Sequence, residues 1–191
     1  MNQNMDSRVI ESQRFFPFWD SDNPNPVLGL IQLCFDAYHH NPNPQIWVEI
    51  GCFLGESTTI FSGFPFVKRI YSVDPFEQPH PTVLEHAVER INRIKKATLI
   101  KKTSYMYSKT IYDKTIDLVY IDGSHQFDSV KEDLNIWNSK LKNNGLLCGH
   151  DYSKYTKWDG VVKAVDEFMS EHPEYSIKTY CDTSFMIKKC I

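Results

Sequence analysis

The sequence has no apolar run near the roughly 18 residues that a membrane-spanning helix needs. Its first residues are polar and lack the apolar core of a signal peptide. The net charge of −3 over 191 residues provides no broad basic surface for nucleic acid. From these absences we expect a cytoplasmic protein that binds neither a membrane nor nucleic acid.

Cysteine is scarce and irregularly spaced. The five cysteines stand at positions 34, 52, 148, 181 and 190, without a C-x-x-C pair or zinc-finger spacing. An odd, scattered set argues against a disulfide framework and favours a reducing compartment.

Strand patterns alternate with helical patterns along most of the chain. The first helical stripe is Val27–His40, and the last helix opens at Asp159. This alternation predicts an α/β fold, with a mostly parallel sheet and helices on both faces. The last two predicted strands, at 175–180 and 184–189, form a pair that allows one antiparallel strand in the sheet. No repeat or linker divides the chain, so we expect one domain over 27–191.

Residues 1–26 show neither a helical nor a strand period. They contain an aromatic segment, Phe15–Trp19, followed by a turn-rich stretch. We expect this N-terminal extension to fold back on the surface of the domain. A cap over a substrate pocket and a subunit contact are the alternatives.

The segment Trp47–Ile60 runs from an apolar strand through two glycines into a helix. Gly51 and Gly55 permit positive φ and let a ligand approach the backbone closely. The helix that follows points its unpaired N–H groups and its positive dipole end at that ligand. This arrangement is typical of a nucleotide-type site in an open α/β sheet. The spacing is G-x-x-x-G; because G-x-G-x-x-G is absent, a nicotinamide oxidoreductase is the weaker alternative.

Polar residues end four of the predicted strands: Glu49, Asp74, Asp122 and the pair His150-Asp151. In open α/β sheets, ligands bind outside the carboxyl ends of the strands, so we expect these residues at one site. Asp74 follows the second strand, where an acid can accept both hydroxyls of a ribose. The alternative for Asp74 is a turn-forming role before Pro75.

Two of these acids, Asp122 and Asp151, offer hard oxygen ligands for Mg²⁺, Ca²⁺ or Mn²⁺. A ligand nitrogen from His150 shifts the preference toward Mn²⁺, Fe²⁺ or Zn²⁺. The alternative for Asp122 is a helix-entry turn in which Ser124 is the N-cap. His125 is a candidate general base, because an imidazole titrates near neutral pH; a structural histidine is the alternative.

Three aromatic residues after the fifth strand, and two residues of the helix before it, indicate function less clearly. Tyr152, Tyr155 and Trp158 either line an acceptor pocket or pack structurally. Asp133 and Trp137 are expected to serve solvation and packing on their helix.

Four segments resemble motifs of class I S-adenosylmethionine-dependent methyltransferases. Val48–Thr58 resembles their first motif, and Ser72–Pro75 resembles their ribose-binding motif. Ile116–His125, together with Gly145–Tyr152, is similar to the methyltransferase 24 subfamily, which includes macrocin-type O-methyltransferases and cephalosporin-hydroxylase-like proteins. The resemblance covers roughly residues 27–190.

This resemblance implies a Rossmann-like open sheet of about seven strands with the last strand antiparallel. It implies S-adenosyl-L-methionine over the first glycine turn, with Glu49 and Gly51 at the methionine part, Asp74 at the ribose and Ser104 near the adenine. The predicted cofactor-binding set is Glu49, Gly51, Gly55, Ser57, Asp74, Ser104 and Asp122.

In metal-dependent relatives, an acid matching Asp122 and an acidic pair after the fifth strand hold Mg²⁺. Asp151 matches one member of that pair, whereas His150 replaces the other. We therefore predict Asp122, His150 and Asp151 as ligands of Mg²⁺ or Mn²⁺, and Asp122 and His125 as catalytic residues. The expected function is O-methylation of a small-molecule hydroxyl, with or without the metal. A non-catalytic cofactor-binding partner subunit is the remaining alternative.

Overall fold

Seven strands form one sheet in the computed structural model, which describes residues 27–77, 81–155 and 158–190. The strands are β1 Gln45–Ile50, β2 Val67–Val73, β3 Ala97–Ile100, β4 Ile116–Ile121, β5 Leu141–Gly149, β6 Tyr175–Thr179 and β7 Phe185–Lys189. Their order across the sheet is β3-β2-β1-β4-β5-β7-β6. β7 is antiparallel to both of its neighbours, and the other pairs are parallel. The predicted fold class is confirmed.

Six helices lie in the described residues; one precedes β1 and the other five connect consecutive strands from β1 to β6. They are α1 Leu28–His40, α2 Glu56–Ser62, α3 Pro81–Asn92, α4 Ser104–Ser108, α5 Phe127–Lys140 and α6 Asp159–Glu171. None of them is both long and apolar enough to cross a membrane. The predictions for the extension at 1–26 lie outside the described residues.

The helices cover both faces of the sheet, and each face has its own apolar core. Trp47 of β1 and Leu118 of β4 pack with α1 and α2. Their chain neighbours Val48 and Val119 point the other way and pack with α5 and α6. Burial on both faces explains why β1 and β4 read as nearly continuous apolar runs. Because these strands are buried, polar side chains that can contact a ligand lie at the strand ends.

β5 begins earlier than its local sequence indicates. Asn143-Asn144-Gly145 is typical of a turn that precedes a strand from Leu146, but the strand begins at Leu141. Ile116 pairs with Leu141 and Leu118 with Leu146, so the register shifts there and the intervening residues bulge. Lys142, which lies in the bulge, is exposed. The polar segment that predicts a turn is therefore an irregularity inside the strand.

The strand order creates a crevice beside β1. β2 lies on one side of β1 and β4 on the other, so the connections after β1 and β4 leave toward different sides of the sheet. This is the topological switch point where open α/β sheets bind their ligands.

Candidate active site

A cavity of about 1050 Å³ opens at the carboxyl edge of β1, β2, β4 and β5. Its lining includes six residues predicted from the sequence to form the site: Gly51, Ser57, Asp74, Ser104, Asp122 and Asp151, together with the two histidines His125 and His150. The volume is at the upper end of the range for small-molecule sites. The structure thus brings residues from distant parts of the chain to one cavity.

The loop after β1 depends on Gly51, whose φ is +86°. A Cβ at this position would lie 2.1 Å from the carbonyl oxygen of Asp122, which follows β4. The Gly51 N–H donates to the Val73 carbonyl at 2.8 Å, and the Asp122 N–H donates to the Ile50 carbonyl at 2.8 Å. Glycine is therefore required because two loops cross in contact here.

α2 begins at the second glycine of this loop. Gly55 is the N-cap residue with φ +76°, and Phe53 also has a left-handed φ of +46°. Two left-handed residues close together, one of them without the freedom of glycine, indicate a backbone shape imposed by the surroundings. Gly55 shapes the loop but is not among the residues that line the cavity.

Glu49 lies behind this loop and is fully buried. Its carboxylate accepts hydrogen bonds from the hydroxyls of Ser57 and Thr58. Burial raises the pKa of Glu49, although these hydrogen bonds oppose the rise. Glu49 ties the first turn of α2 to the end of β1 and is not among the lining residues.

Asp74 joins the loops that follow β1 and β2. Its two carboxylate oxygens accept hydrogen bonds from the backbone N–H groups of Phe53, at 3.0 Å, and Phe76, at 2.8 Å. Each oxygen keeps a further lone pair, so the carboxylate retains capacity to accept a hydroxyl group. Asp74 lines the cavity at the carboxyl end of β2.

A hydrogen-bonded trio lies between α4 and α5. The Ser104 hydroxyl donates to Asp133, and the Trp137 indole donates to Ser104 at 2.8 Å. Burial raises the pKa of Asp133 to about 6. The prediction that Asp133 is a solvated residue was wrong, because it is buried and lines the cavity. Its position on the apolar stripe of α5, between Val130 and Trp137, indicates this burial in the sequence.

Two histidines and two aspartates meet after β4 and β5. His125 Nε2 lies 2.7 Å from Asp151 Oδ2, and His150 Nδ1 lies 3.4 Å from Asp151 Oδ1 and 4.0 Å from Asp122 Oδ1. The His125 ring stacks on Trp158, with ring centroids 4.2 Å apart. Asp151 has a left-handed φ of +62°, so its backbone is held in a rarely adopted conformation at this point.

The charges of this group shift its pKa values in different directions. Burial raises the pKa of Asp122 to about 7, an effect that nearby His150 opposes. Burial alone lowers the pKa of His150, but Asp122 and Asp151 outweigh it and raise the value to about 9. For Asp151, hydrogen bonds with His125 and His150 outweigh burial and lower the pKa below its usual range.

The donor atoms of Asp122, His125 and Asp151 all lie within 4.8 Å of one another, a spacing compatible with one metal ion. Two of these residues belong to the predicted metal set. The imidazole in the compact group is His125, whereas the predicted set contains His150. Two carboxylates and one imidazole suit Mn²⁺, Fe²⁺ or Zn²⁺ better than Mg²⁺.

The aromatic residues after β5 differ in whether they line the cavity. Trp158 lines the cavity, but Tyr155 is 100% exposed, so a pocket role for Tyr155 was wrong. Tyr152 packs against Phe185 and donates a hydrogen bond to Asp166 at 2.6 Å.

Sequence reasoning missed Tyr120 and Asp182, which also line the cavity. Tyr120 lies inside the apolar run of β4, where a tyrosine reads as a core residue. Asp182 stands in the turn between β6 and β7, where aspartate is common for conformational reasons alone.

Carboxylates dominate the wall of the cavity. Eight lining residues are acidic: Asp74, Asp122, Asp133, Asp151 and Asp182, with Glu56, Glu77 and Glu132. None of the lining residues that the structure describes is lysine or arginine. The cavity therefore suits a neutral or cationic ligand.

A sequence model of a methyltransferase-domain family, methyltransferase 24, matches residues 48–152, more than half of the chain. A curated relative, uncharacterised protein R132 of Acanthamoeba polyphaga mimivirus, is 25% identical over 133 residues. That alignment covers 65% of this chain and 59% of the relative, so the match spans less than two thirds of the relative's length.

Solved structures share the fold at low sequence identity. A candidate caffeoyl-CoA O-methyltransferase from Staphylococcus aureus has a TM-score of 0.67 at 17% identity, covering 98% of this chain and 93% of the other. Spermidine synthase from Thermotoga maritima has a TM-score of 0.63 at 14% identity, covering 84% of this chain and 58% of the other. Proteins with different named activities have this fold, so the fold alone does not determine the reaction.

Proposed function

Since the chain belongs to the methyltransferase 24 family of methyltransferase domains, we propose that it is an S-adenosyl-L-methionine-dependent O-methyltransferase acting on a small molecule. The observation that carries this proposal is the single cavity where the glycine loop of β1 meets Asp74, Asp122, His125 and Asp151. One part of that cavity has the features of a nucleoside site, and another has an acid–base pair.

The described residues fit S-adenosyl-L-methionine. Gly51 lines the cavity, and Asp74 has lone pairs available for ribose hydroxyls. Ser104, held by Asp133 and Trp137, would lie beside the adenine. The acidic wall suits the positive sulfonium and ammonium groups of this molecule.

Ser57 and Glu49 have linked roles in this proposal. The Ser57 hydroxyl donates to the buried Glu49 carboxylate while Ser57 also lines the cavity. Glu49 would thus act on the methionine part by holding the loop in place.

S-adenosyl-L-methionine supplies an electrophilic methyl group together with its own leaving group. The protein must align the acceptor hydroxyl, exclude water and take up the proton. His125 is the residue for proton uptake, because Asp151 Oδ2 lies 2.7 Å from its Nε2 and Trp158 stacks on its ring. A hydrogen on Nε2 leaves Nδ1 of the neutral imidazole as the basic nitrogen.

A divalent cation is the second way to activate the hydroxyl. Asp122 and Asp151 would hold it, and His125 would add an imidazole ligand, because its donor atom lies within 4.8 Å of theirs. A bound cation lowers the pKa of a hydroxyl and fixes its orientation. His125 cannot be a cation ligand and the proton acceptor through the same nitrogen, so the two versions predict different responses to a chelator.

The test is transfer of a labelled methyl group from S-adenosyl-L-methionine to a panel of phenols and sugars. We expect transfer to at least one hydroxyl compound, and none to its analogue with the hydroxyl removed. Loss of transfer with EDTA, restored by Mn²⁺ or Mg²⁺, would identify the metal-assisted version. Binding of S-adenosylhomocysteine without transfer to any acceptor would instead indicate a non-catalytic subunit.

Asp122→Ala separates catalysis from cofactor binding. We expect this variant to lose transfer while its affinity for S-adenosylhomocysteine, measured by calorimetry, stays near that of the wild type. Equal loss of transfer and affinity would assign Asp122 to the cofactor.

A further inference from the structure

The turn between β6 and β7 places one more carboxylate in the cavity wall. Asp182 is only 4% exposed, and its Oδ1 accepts a hydrogen bond from the Ser184 N–H at 3.0 Å. Its Oδ2 is buried and has no hydrogen-bond partner among the residues that the structure describes. Asp182 lines the same cavity as Asp122 and Asp151.

A buried carboxylate oxygen without a partner is costly, because it has lost its hydration and gained nothing in return. Such groups are rare in folded proteins, and each one calls for an explanation. The surrounding fold is shaped around this carboxylate: a Cβ at Gly29 of α1 would lie 1.9 Å from Asp182 Oδ1. The glycine therefore makes room for the acid at a point where any other residue would displace it.

The described residues that line the cavity with Asp182 include no lysine or arginine. Leu30 and Tyr120 also line this cavity. His150 lies near enough for its charge to interact with that of Asp182, but His150 also faces Asp122 and Asp151. This end of the cavity thus has more carboxylates than cations.

We propose that Asp182 binds an ammonium group of the methyl acceptor, so that the preferred acceptors are hydroxyl compounds that also have an amine. This inference rests on the proposed function and names its substrate class. An ammonium group beside Asp182 donates a charge-assisted hydrogen bond to the carboxylate and balances its charge, whereas a neutral hydroxyl does only the first. Phosphates and carboxylates are disfavoured, because the cavity wall repels them.

The test compares probes that share a scaffold and differ in charge, bound to the wild-type protein in the presence of S-adenosylhomocysteine. One series is dopamine, 4-ethylcatechol and 3,4-dihydroxyphenylacetate; the other is glucosamine, glucose and glucuronate. We expect the cation to bind about tenfold more tightly than the neutral member in at least one series, with the anion weakest. No preference for the cation in either series would overturn the proposal.

Asp182→Asn keeps the acceptor for the Ser184 N–H and removes the charge. We expect it to abolish the preference for the cation while the affinity for the neutral probe changes less than about twofold. Glu132→Gln is the matched control, because it removes a different carboxylate from the wall of the same cavity. If both variants reduce cation binding equally, the effect is one of general charge and the proposal fails.

Two further readouts distinguish other partners for Asp182. A large loss of affinity for S-adenosylhomocysteine in Asp182→Asn would assign the carboxylate to the cofactor and overturn the inference. A lower melting temperature of the ligand-free variant would show that the protein itself already pairs Oδ2, and would also overturn it. Failure of methyl transfer to every acceptor speaks against the proposed function, whereas the preference among probes is a binding measurement independent of transfer.

Discussion

The carboxyl groups in this cavity differ in protonation state because their surroundings differ. Asp151 is kept ionised by hydrogen bonds with two histidines, which outweigh its burial. Burial raises the pKa of Asp133 to about 6, because the hydrogen bond that it accepts from the Ser104 hydroxyl does not outweigh the burial. Groups with separated pKa values are typical of sites that move protons or bind charge.

The elevated pKa of Asp133 predicts a stability difference that depends on pH. The folded-state pKa of about 6 is above the ordinary value of 3.8, so wild-type stability falls as pH rises from about 4 through 6. Asp133→Asn removes this loss and keeps an oxygen for the Ser104 hydroxyl. We expect the variant to gain up to about 3 kcal/mol relative to wild type at pH 8 and almost nothing near pH 4.

Urea unfolding of both proteins across this pH range measures the difference. A constant difference at all pH values would show that Asp133 titrates normally in the folded protein. Asp128→Asn, an exposed acid on the same helix, serves as the control.

The role of His125 predicts a change in turnover without a change in cofactor affinity. His125→Gln keeps a hydrogen-bonding side chain but removes the base, so we expect kcat to fall about 100-fold or more. Binding of S-adenosylhomocysteine should remain close to wild type. A variant with unchanged kcat would limit His125 to a structural role beside Asp151 and Trp158.

Among the structural elements, three loops at the carboxyl edge each contain a residue with a strained backbone. Phe53, Phe76 and Asp151 have positive φ without being glycine, and they follow β1, β2 and β5 respectively. Each such residue costs of order 1–3 kcal/mol. Phe53 and Asp151 line the cavity, whereas two other described residues with positive φ, Lys114 and Thr183, do not.

The crossing of the loops after β1 and β4 predicts a severe effect of Gly51→Ala. The new Cβ would meet the Asp122 carbonyl oxygen at 2.1 Å, and alanine is also strained at φ +86°. We expect a loss of more than about 2 kcal/mol in the free energy of unfolding, together with loss of S-adenosylhomocysteine binding.

Gly123→Ala is the matched control on the other side of that contact, because a Cβ there has its nearest neighbour at 3.5 Å. Chemical unfolding and calorimetry of both variants check the prediction. Equal effects at the two positions would mean that the close contact at Gly51 is not the cause.

The elements themselves were largely predictable from the sequence, because apolar period and glycine or proline punctuation act locally. Glycines on either side of Glu56–Ser62 indicate α2 with the bounds that it has, and the apolar run Ile116–Ile121 indicates β4. The sequence after Ser104 suits a helix as far as Ile111, but α4 ends at Ser108, since no local pattern separates its single turn from the turns that follow.

Site residues were predictable only where a strand end marked them. Asp74, Asp122 and Asp151 follow strands, so their common edge could be inferred from sheet geometry. Asp133 and Asp182 come from a helix face and a hairpin turn, and their place in the cavity depends on how those elements pack. That information lies in contacts between distant residues, such as Asp182 with Gly29.

At the scale of the whole molecule, ligand binding should couple to global stability. The cavity joins segments after four strands, α1 and the β6–β7 turn, so a ligand that fills it binds only the folded chain. At a concentration about 100 times its Kd, such a ligand adds about 2.7 kcal/mol. We expect S-adenosylhomocysteine to raise the melting temperature by about 5 °C or more, and NAD to leave it unchanged.

Thermal unfolding with each compound makes this comparison directly. Adenosine is the control for binding through the nucleoside alone. Stabilisation by NAD and not by S-adenosylhomocysteine would favour the nicotinamide alternative.

The position of β7 between β5 and β6 restricts the order in which the chain can assemble. β6 is synthesised before β7, yet the edge of β5 must stay open until β7 can pair with it. The simplest route is for β6 and β7 to join first as a hairpin, which forms in microseconds, and then to dock as a unit. A premature pairing of β6 with β5 would trap a misfolded chain whose cavity lacks the wall that this hairpin provides.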